Sequence, residues 1–570
     1  MIELHYRKSV PTHLTSFLLV VGMAILVGGN STLANTQSSP QIRLVLQITV
    51  DGLRGDLLNR YQSGFSKEGF NYLAGKGTVY TNAHYQHANT ETIVGHATLA
   101  TGTFPSLHGM VGNVWFDRKA GELSYNIEDA DAPLLPSREE SSEGEQVDPA
   151  QKLARTKGRS PEVLLAPTFG DGLSAYYSGR SKVFGVSGKD RGAVAMAGQV
   201  GKAFWFSTDN GDFITSKYYY NDYPEWAHLW NEQRQAEQYA RTEWKLSSEI
   251  SSYLLAEQDD RPYEMDLKGY GRTFPHRFGE AGNKLLFTQI VASPIGDQLL
   301  LDFSKELIVN EKLGQDAVPD YFSISFSGVD AINHFFGPSS LENEEVIRRL
   351  DRTLADLLKF IDTTIGLNHT LIVFAADHGM ADMPEYMTEL GYDAGRLSPD
   401  EIVEVANKAG QQLGIDEIVR FFYRPYIYLH DEKIIASKLN PLQVEQTIAN
   451  ALTDFDGINL AISAKSLSTQ KGNPLFKQIR NNQHVTRSGD IYIIQDPYWF
   501  LFEEGPIPSM HGSPWRYDTH VPIIFVGPGI NAQTVHRRVH PVDVASTLAT
   551  FLGMTPPASS TGKPLKEVLK

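Results

Sequence analysis

Short apolar runs recur along the chain and alternate with longer stretches of helical periodicity. Apolar runs bounded by polar residues are typical of buried strands. Five such runs predict strands: Ile42–Val50, Lys182–Val186, Tyr321–Phe326, Thr370–Phe374 and Val521–Val526. Apolar residues spaced by three and four predict helices over Pro161–Tyr177, Asn343–Ile365 and Pro541–Leu552. Strands that alternate with helices predict an α/β fold, with a mostly parallel central sheet and helices on both faces.

Long segments between these core elements predict insertions, located near residues 118–180, 204–320 and 384–508. The charged, serine-containing segment Glu122–Gly158 in the first insertion is typical of a solvated surface loop. The second insertion is rich in aromatic residues. The third contains strand and helix patterns at Tyr426–Leu429, Pro441–Leu452 and Asp490–Ile494. We expect the second and third insertions to cap the strand edge of a single catalytic domain, residues 35–570.

The first 34 residues have the three-part pattern of a secretory signal peptide. Arg7 and Lys8 precede the apolar run Phe17–Val27, and Thr32-Leu33-Ala34 offers a cleavage site of small residues. The apolar run is shorter than the roughly 20 residues that span a bilayer. We therefore expect a periplasmic or secreted protein without membrane attachment after cleavage. An uncleaved membrane anchor is the alternative.

Charge and cysteine content exclude several classes of function. The 570 residues carry a formal net charge of −16, whereas a nucleic-acid-binding surface is basic. Nucleic acid is therefore not an expected partner. The chain contains no cysteine, which excludes disulfides, thiolate zinc ligands and a cysteine nucleophile. Any metal site must be built from histidine, aspartate and glutamate.

Aspartate and histidine residues lie next to the predicted strands. They form a set of three carboxylates and three imidazoles: Asp51, Asp330, His334, Asp377, His378 and His511. Ligands of open α/β sheets bind beyond the carboxyl ends of the strands, so we expect this set to converge there. Two tetrahedral sites sharing the set would each have three protein ligands and a free position. The strand Val521–Val526 is an exception, because its candidate histidine precedes the strand instead of following it. His520 is the alternative to His511 as a metal ligand.

The candidate nucleophile is Thr92, in the segment Glu91–Gly102 that begins a predicted helix. A threonine at a helix start is often a simple N-cap, but the free amides and the helix dipole there also favour an anion. A metal ion on its oxygen would lower the pKa of the hydroxyl. Asn113 follows and could donate an amide hydrogen bond to a substrate oxygen. We interpret His96 and His108, in the same region, as structural residues or as residues that contact the metal ligands.

These motifs, from Asp51 to the tail segment Asp543–Gly553, resemble the alkaline phosphatase superfamily. The similarity is to its Thr-nucleophile phosphomonoesterases, in the branch related to nucleotide pyrophosphatases and phosphodiesterases. The resemblance covers nearly the whole chain after the signal peptide. It implies that one zinc ion is held by Asp51, Thr92, Asp377 and His378, and that a second is held by Asp330, His334 and His511. It also implies that Asn113 contacts a phosphoryl oxygen.

Lys189 and Arg191 indicate which branch of the superfamily the chain resembles more closely. In the monoesterases similar to this chain, a Lys-x-Arg pair binds the non-transferred phosphoryl oxygens. A monoester carries one negative charge more than a diester, and the planar arginine fork can hold two of its oxygens. The diesterases commonly have Pro-Asn where Val94-Gly95 stands here.

The sequence therefore predicts an exported alkaline phosphatase, a phosphomonoesterase with two Zn²⁺ ions and a covalent phosphothreonine at Thr92. Small-molecule phosphate esters are the expected substrates, and Mn²⁺ or Co²⁺ are alternatives at Asp/His sites. A phosphodiesterase or nucleotide pyrophosphatase on the same scaffold is the main alternative function. A sulfatase is disfavoured because the chain has no Cys/Ser-x-Pro-x-Arg motif. A metal-dependent binding module is a further alternative, and neither the natural substrate nor the oligomeric state is predicted.

Overall fold

A nine-stranded sheet forms the centre of the computed structural model. Its strands, in chain order, are β1 Leu44–Val50, β2 Thr78–His84, β3 Val183–Ser187, β4 Lys202–Phe206, β5 Phe213–Ile214, β6 Asp320–Phe326, β7 Thr370–Ala375, β8 His520–Val526 and β9 Gln533–Val535. They lie side by side in the order β9-β2-β8-β7-β1-β6-β3-β4-β5. The neighbours from β7 to β4 pair in parallel, whereas β8 runs antiparallel to β7 and β2. The predicted fold class is confirmed.

The structure describes residues 41–137, 149–257, 259–267, 269–282, 285–501 and 507–569. All of them belong to one compact unit, Pro40–Lys570. The predicted signal peptide, residues 1–34, lies outside the described residues. Among the described helices, none combines the length and the apolar character needed to span a bilayer.

Mostly apolar runs, covered on both faces, form the parallel part of the sheet. Every residue of β1, β6 and β7 is buried. A strand covered on both faces buries both sets of its alternating side chains, so the few polar residues within these strands, such as Gln47 and Ser323, are buried as well. All five predicted strands lie in this sheet.

Helices pack against the sheet and carry part of the candidate site. Those used below are α1 Thr92–Thr101, α2 Asp190–Ala197, α3 Gly328–Phe336 and α4 Leu341–Thr364. Further helices span Phe70–Lys76, Phe169–Tyr176, Glu225–Glu232, Leu286–Val291, Pro294–Asn310, Pro384–Glu389, Pro399–Gln412, Asp431–Ser437, Pro441–Thr453, Pro474–Asn482 and Asp543–Phe551. Two of the three predicted helices, α4 and the one near the carboxyl terminus, match within two residues at each end.

The predicted helix Pro161–Tyr177 begins eight residues later than expected, at Phe169. The Thr168 side chain accepts the N–H of Asp171 at 3.0 Å, and the Asp171 carboxylate accepts the N–H of Thr168 at 2.8 Å. This reciprocal capping box defines where the helix starts. Apolar spacing continues through the irregular segment before it and could not locate the cap.

The predicted insertions join the central sheet in different ways. Residues 384–508 contain a separate four-stranded sheet, ordered Val419–Tyr423, Tyr426–Leu429, Ile491–Gln495 and Ile458–Ser463. The segment 204–320 instead starts inside β4 and includes β5, so its first residues extend the central sheet. Its aromatic rings pack in the main core, where Phe303 contacts both Phe204 and Trp226.

Candidate active site

Three aspartates meet where β1, β6 and β7 end at the same edge of the sheet. Asp51 directly follows β1, Asp330 lies in the first turn of α3 after β6, and Asp377 lies two residues beyond β7. All three are buried. The N–H of Gly52 donates to Asp377 Oδ1 at 3.1 Å, and a Cβ at this position would lie 3.0 Å from Asp330. Gly52, with a φ of +71°, therefore has to be glycine.

His511 reaches the same edge because β8 runs in the opposite direction to its neighbour β7. An antiparallel strand begins where its neighbour ends, so a segment that precedes β8 lies beside segments that follow β1, β6 and β7. His511 Nε2 is 3.8 Å from Asp330 Oδ1. The alternative ligand, His520, instead stacks on His84 at 4.8 Å, with its Nε2 3.0 Å from the carbonyl of Thr81.

The three predicted histidine ligands share one hydrogen-bonding pattern. Each Nδ1 lies within 2.9 Å of a backbone carbonyl: His334 of Ser509, His378 of Gly379 and His511 of Thr90. A carbonyl only accepts, so each Nδ1 carries a proton and each Nε2 is the ring nitrogen left to bind a cation. His334 Nε2 lies 3.4 Å from Asp330 Oδ2, and His378 Nε2 lies 3.3 Å from Asp51 Oδ1. A cation between such atoms removes the repulsion of their lone pairs, as in histidine–carboxylate metal sites.

Two overlapping groups of these side chains are close enough to hold metal ions. One consists of Asp330, His334 and His511, and the other of Asp51, Asp330 and His378, with the ligand atoms of each group within 4.8 Å of one another. Oδ1 of Asp51 and Oδ1 of Asp330 are buried and accept no hydrogen bond from any described residue. Buried carboxylate oxygens of this kind are costly, and a divalent cation would satisfy them. The donor set therefore fits a metal.

The first group is the same as the predicted ligand set of the second zinc ion, whereas the second group contains Asp330 in place of Asp377 and lacks Thr92. Asp330 belongs to both groups and Asp377 to neither. Asp377 Oδ2 lies 3.1 Å from His96 Nδ1 and 3.5 Å from His378 Nε2. Asp377 thus contacts the same imidazole as Asp51, and its role as a ligand stays a prediction. His96 Nδ1 also lies 2.8 Å from the Thr92 carbonyl, which suits the structural role expected of it.

Lys189 places a positive charge between two of the carboxylates. Its Nζ is 2.8 Å from Asp51 Oδ2 and also contacts Asp330 Oδ2. Burial and the charge of Asp330 would raise the pKa of Asp51, but Lys189 and His378 hold this pKa below its ordinary value. The pKa of Asp330 is held well below its ordinary value, against the effect of burial, by Lys189 and His334. Both carboxylates are therefore ionised, as metal binding requires.

The His378 and His511 rings stack with their centroids 3.7 Å apart, so two protons on this pair repel each other. Although burial lowers it, the carboxylates of Asp377 and Asp51 raise the pKa of His378 to about 10. Burial and the charge of His378 push the pKa of His511 well below its ordinary value. A metal ion that displaces the proton of His378 would leave both rings as neutral ligands.

The candidate nucleophile, Thr92, is the first residue of α1 and is fully buried. Its Oγ1 lies 3.5 Å from His378 Nε2 and accepts a hydrogen bond from Arg191 Nη2 at 3.3 Å. The dipole of α1 and the free amides of its first turn favour negative charge at this point. The position therefore stabilises the conjugate base of the hydroxyl.

Asn113 is fixed to the first turn of the same helix. Its Oδ1 accepts the N–H of Ile93 at 3.1 Å, which leaves the NH₂ group of the side chain as a donor. Its own backbone N–H donates to Glu91 Oε2 at 2.6 Å. The two bonds hold the amide beside Thr92, where the predicted contact to a phosphoryl oxygen requires it.

The chain matches a known protein family over most of its length. The model of the type I phosphodiesterase / nucleotide pyrophosphatase family matches residues 45–514. The chain belongs to this family. The predicted resemblance is thereby confirmed.

Several relatives match this chain over almost its whole length. Alkaline phosphatase PhoV of Synechococcus elongatus is 30% identical over 97% of this chain and 99% of its own. Alkaline phosphatase PafA of Elizabethkingia meningoseptica is 30% identical over 96% and 98%. A Myroides odoratus protein named calcium-transporting ATPase is 30% identical over 93% and 95%.

The crystal structure of PafA has the same fold as this family member. It matches with a TM-score of 0.84 at 29% identity, over 94% of this chain and 100% of the PafA chain. A second solved form of PafA carries substitutions of a threonine, an asparagine, a lysine and an arginine.

Arg191 of this family member is held by residues that the sequence analysis did not assign to the site. Arg191 Nη1 donates to the hydroxyl of Tyr125 at 3.5 Å, and Tyr125 donates to Asp190 Oδ1 at 2.7 Å. Arg159 Nε donates to Asp190 Oδ2 at 2.7 Å. The prediction that Glu122–Gly158 is a solvated loop is wrong for Tyr125, which is buried. The charged residues of this segment dominate its composition, whereas one inward-facing ring makes the contact.

Proposed function

We propose that this protein is a phosphomonoesterase of the alkaline phosphatase type that forms a phosphothreonine at Thr92. The observation that carries the proposal is the position of the Thr92 hydroxyl at a helix N-terminus, between Arg191 and His378. Such a position stabilises the charge of a nucleophile and orients its target. The full-length relatives named alkaline phosphatase support the same class of reaction.

Lys189 and Arg191 support a monoester substrate. Lys189 is the N-cap of α2 and Arg191 lies in its first turn, so both cations come from one helix end. The terminal phosphoryl group of a monoester is a dianion and matches two fixed cations better than a diester does. In the substituted form of PafA, the lysine and arginine are as far apart in the chain as Lys189 and Arg191. The threonine and asparagine are as far apart as Thr92 and Asn113.

The carboxylate and imidazole groups suit two Zn²⁺ ions. We assign one ion to Asp51, Thr92, Asp377 and His378, and the other to Asp330, His334 and His511. When bound, the ions would lower the pKa of the Thr92 hydroxyl and offset the charge that develops on the leaving oxygen. Sites of this type also accept Mn²⁺ or Co²⁺. Elemental analysis of the purified protein tests the assignment, for which we expect two zinc ions per chain.

The reaction consists of two displacements at phosphorus. The Thr92 hydroxyl gives up its proton to solvent, and Oγ1 forms a bond to phosphorus while the bond from phosphorus to the ester oxygen breaks. The departing oxygen then takes a proton from solvent and leaves as the alcohol. Water then attacks the phosphothreonine, which releases inorganic phosphate and restores the hydroxyl. Asn113, Lys189 and Arg191 hold the non-transferred oxygens during both displacements, so the phosphoryl group stays oriented and its charge stays compensated.

The monoester preference is tested with one monoester and one diester that share a leaving group. We expect wild type to have the higher kcat/KM on the monoester. Arg191→Ala should lower the monoester value about 10- to 100-fold, the loss of a charged hydrogen bond, and change the diester value less. A higher kcat/KM on the diester that Arg191→Ala does not change would favour the alternative function, a phosphodiesterase.

We also propose that the mature protein is exported to the periplasm or the medium. The support is the three-part pattern of residues 1–34. Cell fractionation combined with the intact mass of the protein tests it. A soluble exported form that begins near Asn35 is expected, whereas a full-length form in the membrane fraction would favour the uncleaved anchor.

A further inference from the structure

A largely buried arginine from the 384–508 insertion contacts Glu91, the residue that precedes the candidate nucleophile. Arg424 is located between the strands Val419–Tyr423 and Tyr426–Leu429 of the separate sheet. Its Nη1 lies 3.3 Å from Glu91 Oε1 and donates to the carbonyl of His511 at 3.3 Å. The side chains of Arg424 and Glu91 are only 12% and 2% exposed. A desolvated ion pair therefore joins the insertion to the site, and such a pair is sensitive to loss of either partner.

Glu91 connects this ion pair to two groups of the phosphoryl site. It is the residue before Thr92, and its backbone carbonyl accepts the N–H of Gly95 at 3.0 Å in the first turn of α1. Its Oε2 accepts the backbone N–H of Asn113 at 2.6 Å and Asn89 Nδ2 at 3.2 Å. The orientation of one carboxylate therefore affects both the nucleophile and the phosphoryl donor.

Arg424 also closes a ring of contacts around His511. His511 Nδ1 donates to the carbonyl of Thr90 at 2.8 Å, and Thr90 Oγ1 donates to the carbonyl of Ser513 at 2.9 Å. Thr90 precedes Glu91, which pairs with Arg424, and Arg424 donates back to the carbonyl of His511. The segment before the nucleophile and the segment of a predicted metal ligand are thus tied together on two sides.

We propose that Arg424 is a positioning residue, which holds Thr92 and Asn113 against the His511 side of the site through its ion pair with Glu91. The proposal rests on the proposed function, because it concerns the same site. The Nη1 group of Arg424 has two N–H bonds, and it faces the Glu91 carboxylate and the His511 carbonyl at the same time. Arg424 acts on the reaction through these neighbours.

The test compares Arg424→Met with Arg420→Met. Arg420 lies on the same hairpin and stacks over Phe116, so it controls for damage to the insertion sheet. We expect Arg424→Met to lower kcat/KM on a phosphate monoester roughly 10- to 100-fold, the range for residues that orient ligands. The loss should be mainly in kcat, and zinc should pass faster to a chelator. Arg420→Met should resemble wild type in both. Wild-type kcat/KM and zinc retention in folded Arg424→Met would overturn the proposal.

If Arg424→Met does not fold, Glu91→Gln tests whether the ion pair between Arg424 and Glu91 positions the site. The amide keeps the shape of Glu91 but removes its charge and turns an NH₂ donor toward the donors of Arg424 or Asn113. We expect a comparable fall in kcat. Where Arg424→Met does fold, the double variant should lose less than the sum of the two single losses, since both substitutions remove the same ion pair. Full activity of Glu91→Gln, or additive losses, would overturn the proposal. If the wild-type protein is inactive on every monoester, the proposed function is refuted. The positioning role of Arg424 would then be tested by zinc retention alone.

Discussion

Backbone carbonyls fix the orientation of the three imidazoles in the candidate site. Because the Nδ1 atoms of His334, His378 and His511 donate to the main chain, their Nε2 atoms are turned toward the carboxylates of the site. The N–H of Ile93 likewise selects the oxygen of Asn113 and leaves its NH₂ for the phosphoryl group. The main chain therefore sets up ligands and donor before substrate arrives, which is how a site stabilises a transition state without reorganisation.

Replacement of Asp190 tests whether the Tyr125–Asp190 network orients Arg191. In Asp190→Asn, an NH₂ group would face either the Tyr125 hydroxyl or the Arg159 guanidinium, donor against donor. We expect kcat/KM on a monoester to fall about 10- to 100-fold, the effect of a lost charged hydrogen bond. Arg241→Gln, which removes a solvent-exposed ion pair with Glu280, is the control. Equal activity of the two folded variants would contradict the role of the network.

At the scale of single residues, the sequence predicts which residue types form the site better than it predicts the residues that contact them. Asp and His residues next to apolar runs identify the ligand set, because strand ends converge in an α/β sheet. Tyr125 and Glu91 are not predicted. A buried tyrosine in a charged segment and a glutamate before a helix have the same sequence pattern whether they face the site or solvent.

At the scale of elements, the close approach of α1 to the end of β7 depends on Gly95. A Cβ at this position would collide with the backbone carbonyl of Asp377. Gly95→Ala must therefore move the helix that carries Thr92. We expect a loss of about 1–3 kcal/mol of stability from overpacking, together with a lower kcat, measured by thermal unfolding and monoester assay. Gly75→Ala, where no atom lies within 4 Å of the added Cβ, should be neutral or slightly stabilising. Wild-type stability and kcat in Gly95→Ala would contradict this packing.

Glu264, in the segment 204–320, makes the stability of the folded protein depend on pH. Burial, helped by the charges of Asp259 and Asp260, raises the pKa of Glu264 from 4.5 to about 8. Between these values the folded state holds a proton that the unfolded chain has lost, so the free energy of unfolding falls as pH rises. We expect Tm to fall less from about pH 5 to 8 in Glu264→Gln than in wild type, because the amide does not titrate. Parallel Tm curves would contradict the shifted pKa.

Apolar runs predict where the strands lie but not their direction. A buried apolar run has the same sequence pattern in a parallel and an antiparallel strand, so the pattern predicts the position of β8 but not its direction. That orientation is what brings His511, which precedes β8, to the edge where Asp51 and Asp330 follow their strands. The start of the helix at Phe169 was missed for a similar reason, because capping by Thr168 depends on side-chain geometry.

At the scale of the whole molecule, the site is assembled from segments far apart in the chain. The bond from Gly52 to Asp377 joins positions separated by 325 residues, and Arg424 comes from an insertion with its own sheet. The order of motifs along the whole chain predicts the family and fold class, which are confirmed. The insertion boundaries depend on long-range packing, which periodicity over a short window does not contain.

Removal of metal should affect activity and stability together. A ligand that binds only the folded state adds RT ln(1 + [L]/Kd) to its stability, and the carboxylates and imidazoles proposed as metal ligands come together only in the folded state. We expect dialysis against a chelator to lower Tm and abolish monoester hydrolysis. Zn²⁺ should restore both, whereas Mg²⁺, which prefers oxygen ligands in an octahedral arrangement, should not. An unchanged Tm after complete metal removal would contradict a metal site at these residues.

The proposed function depends on the Thr92 hydroxyl as the nucleophile. The most direct measurement is kcat/KM on a chromogenic phosphate monoester for Thr92→Ala and Thr92→Ser, at equal zinc content. The account predicts a fall of at least about 1,000-fold in Thr92→Ala, as expected for loss of a nucleophile, and much higher activity in Thr92→Ser, which keeps a hydroxyl. Wild-type kcat/KM in Thr92→Ala would contradict it.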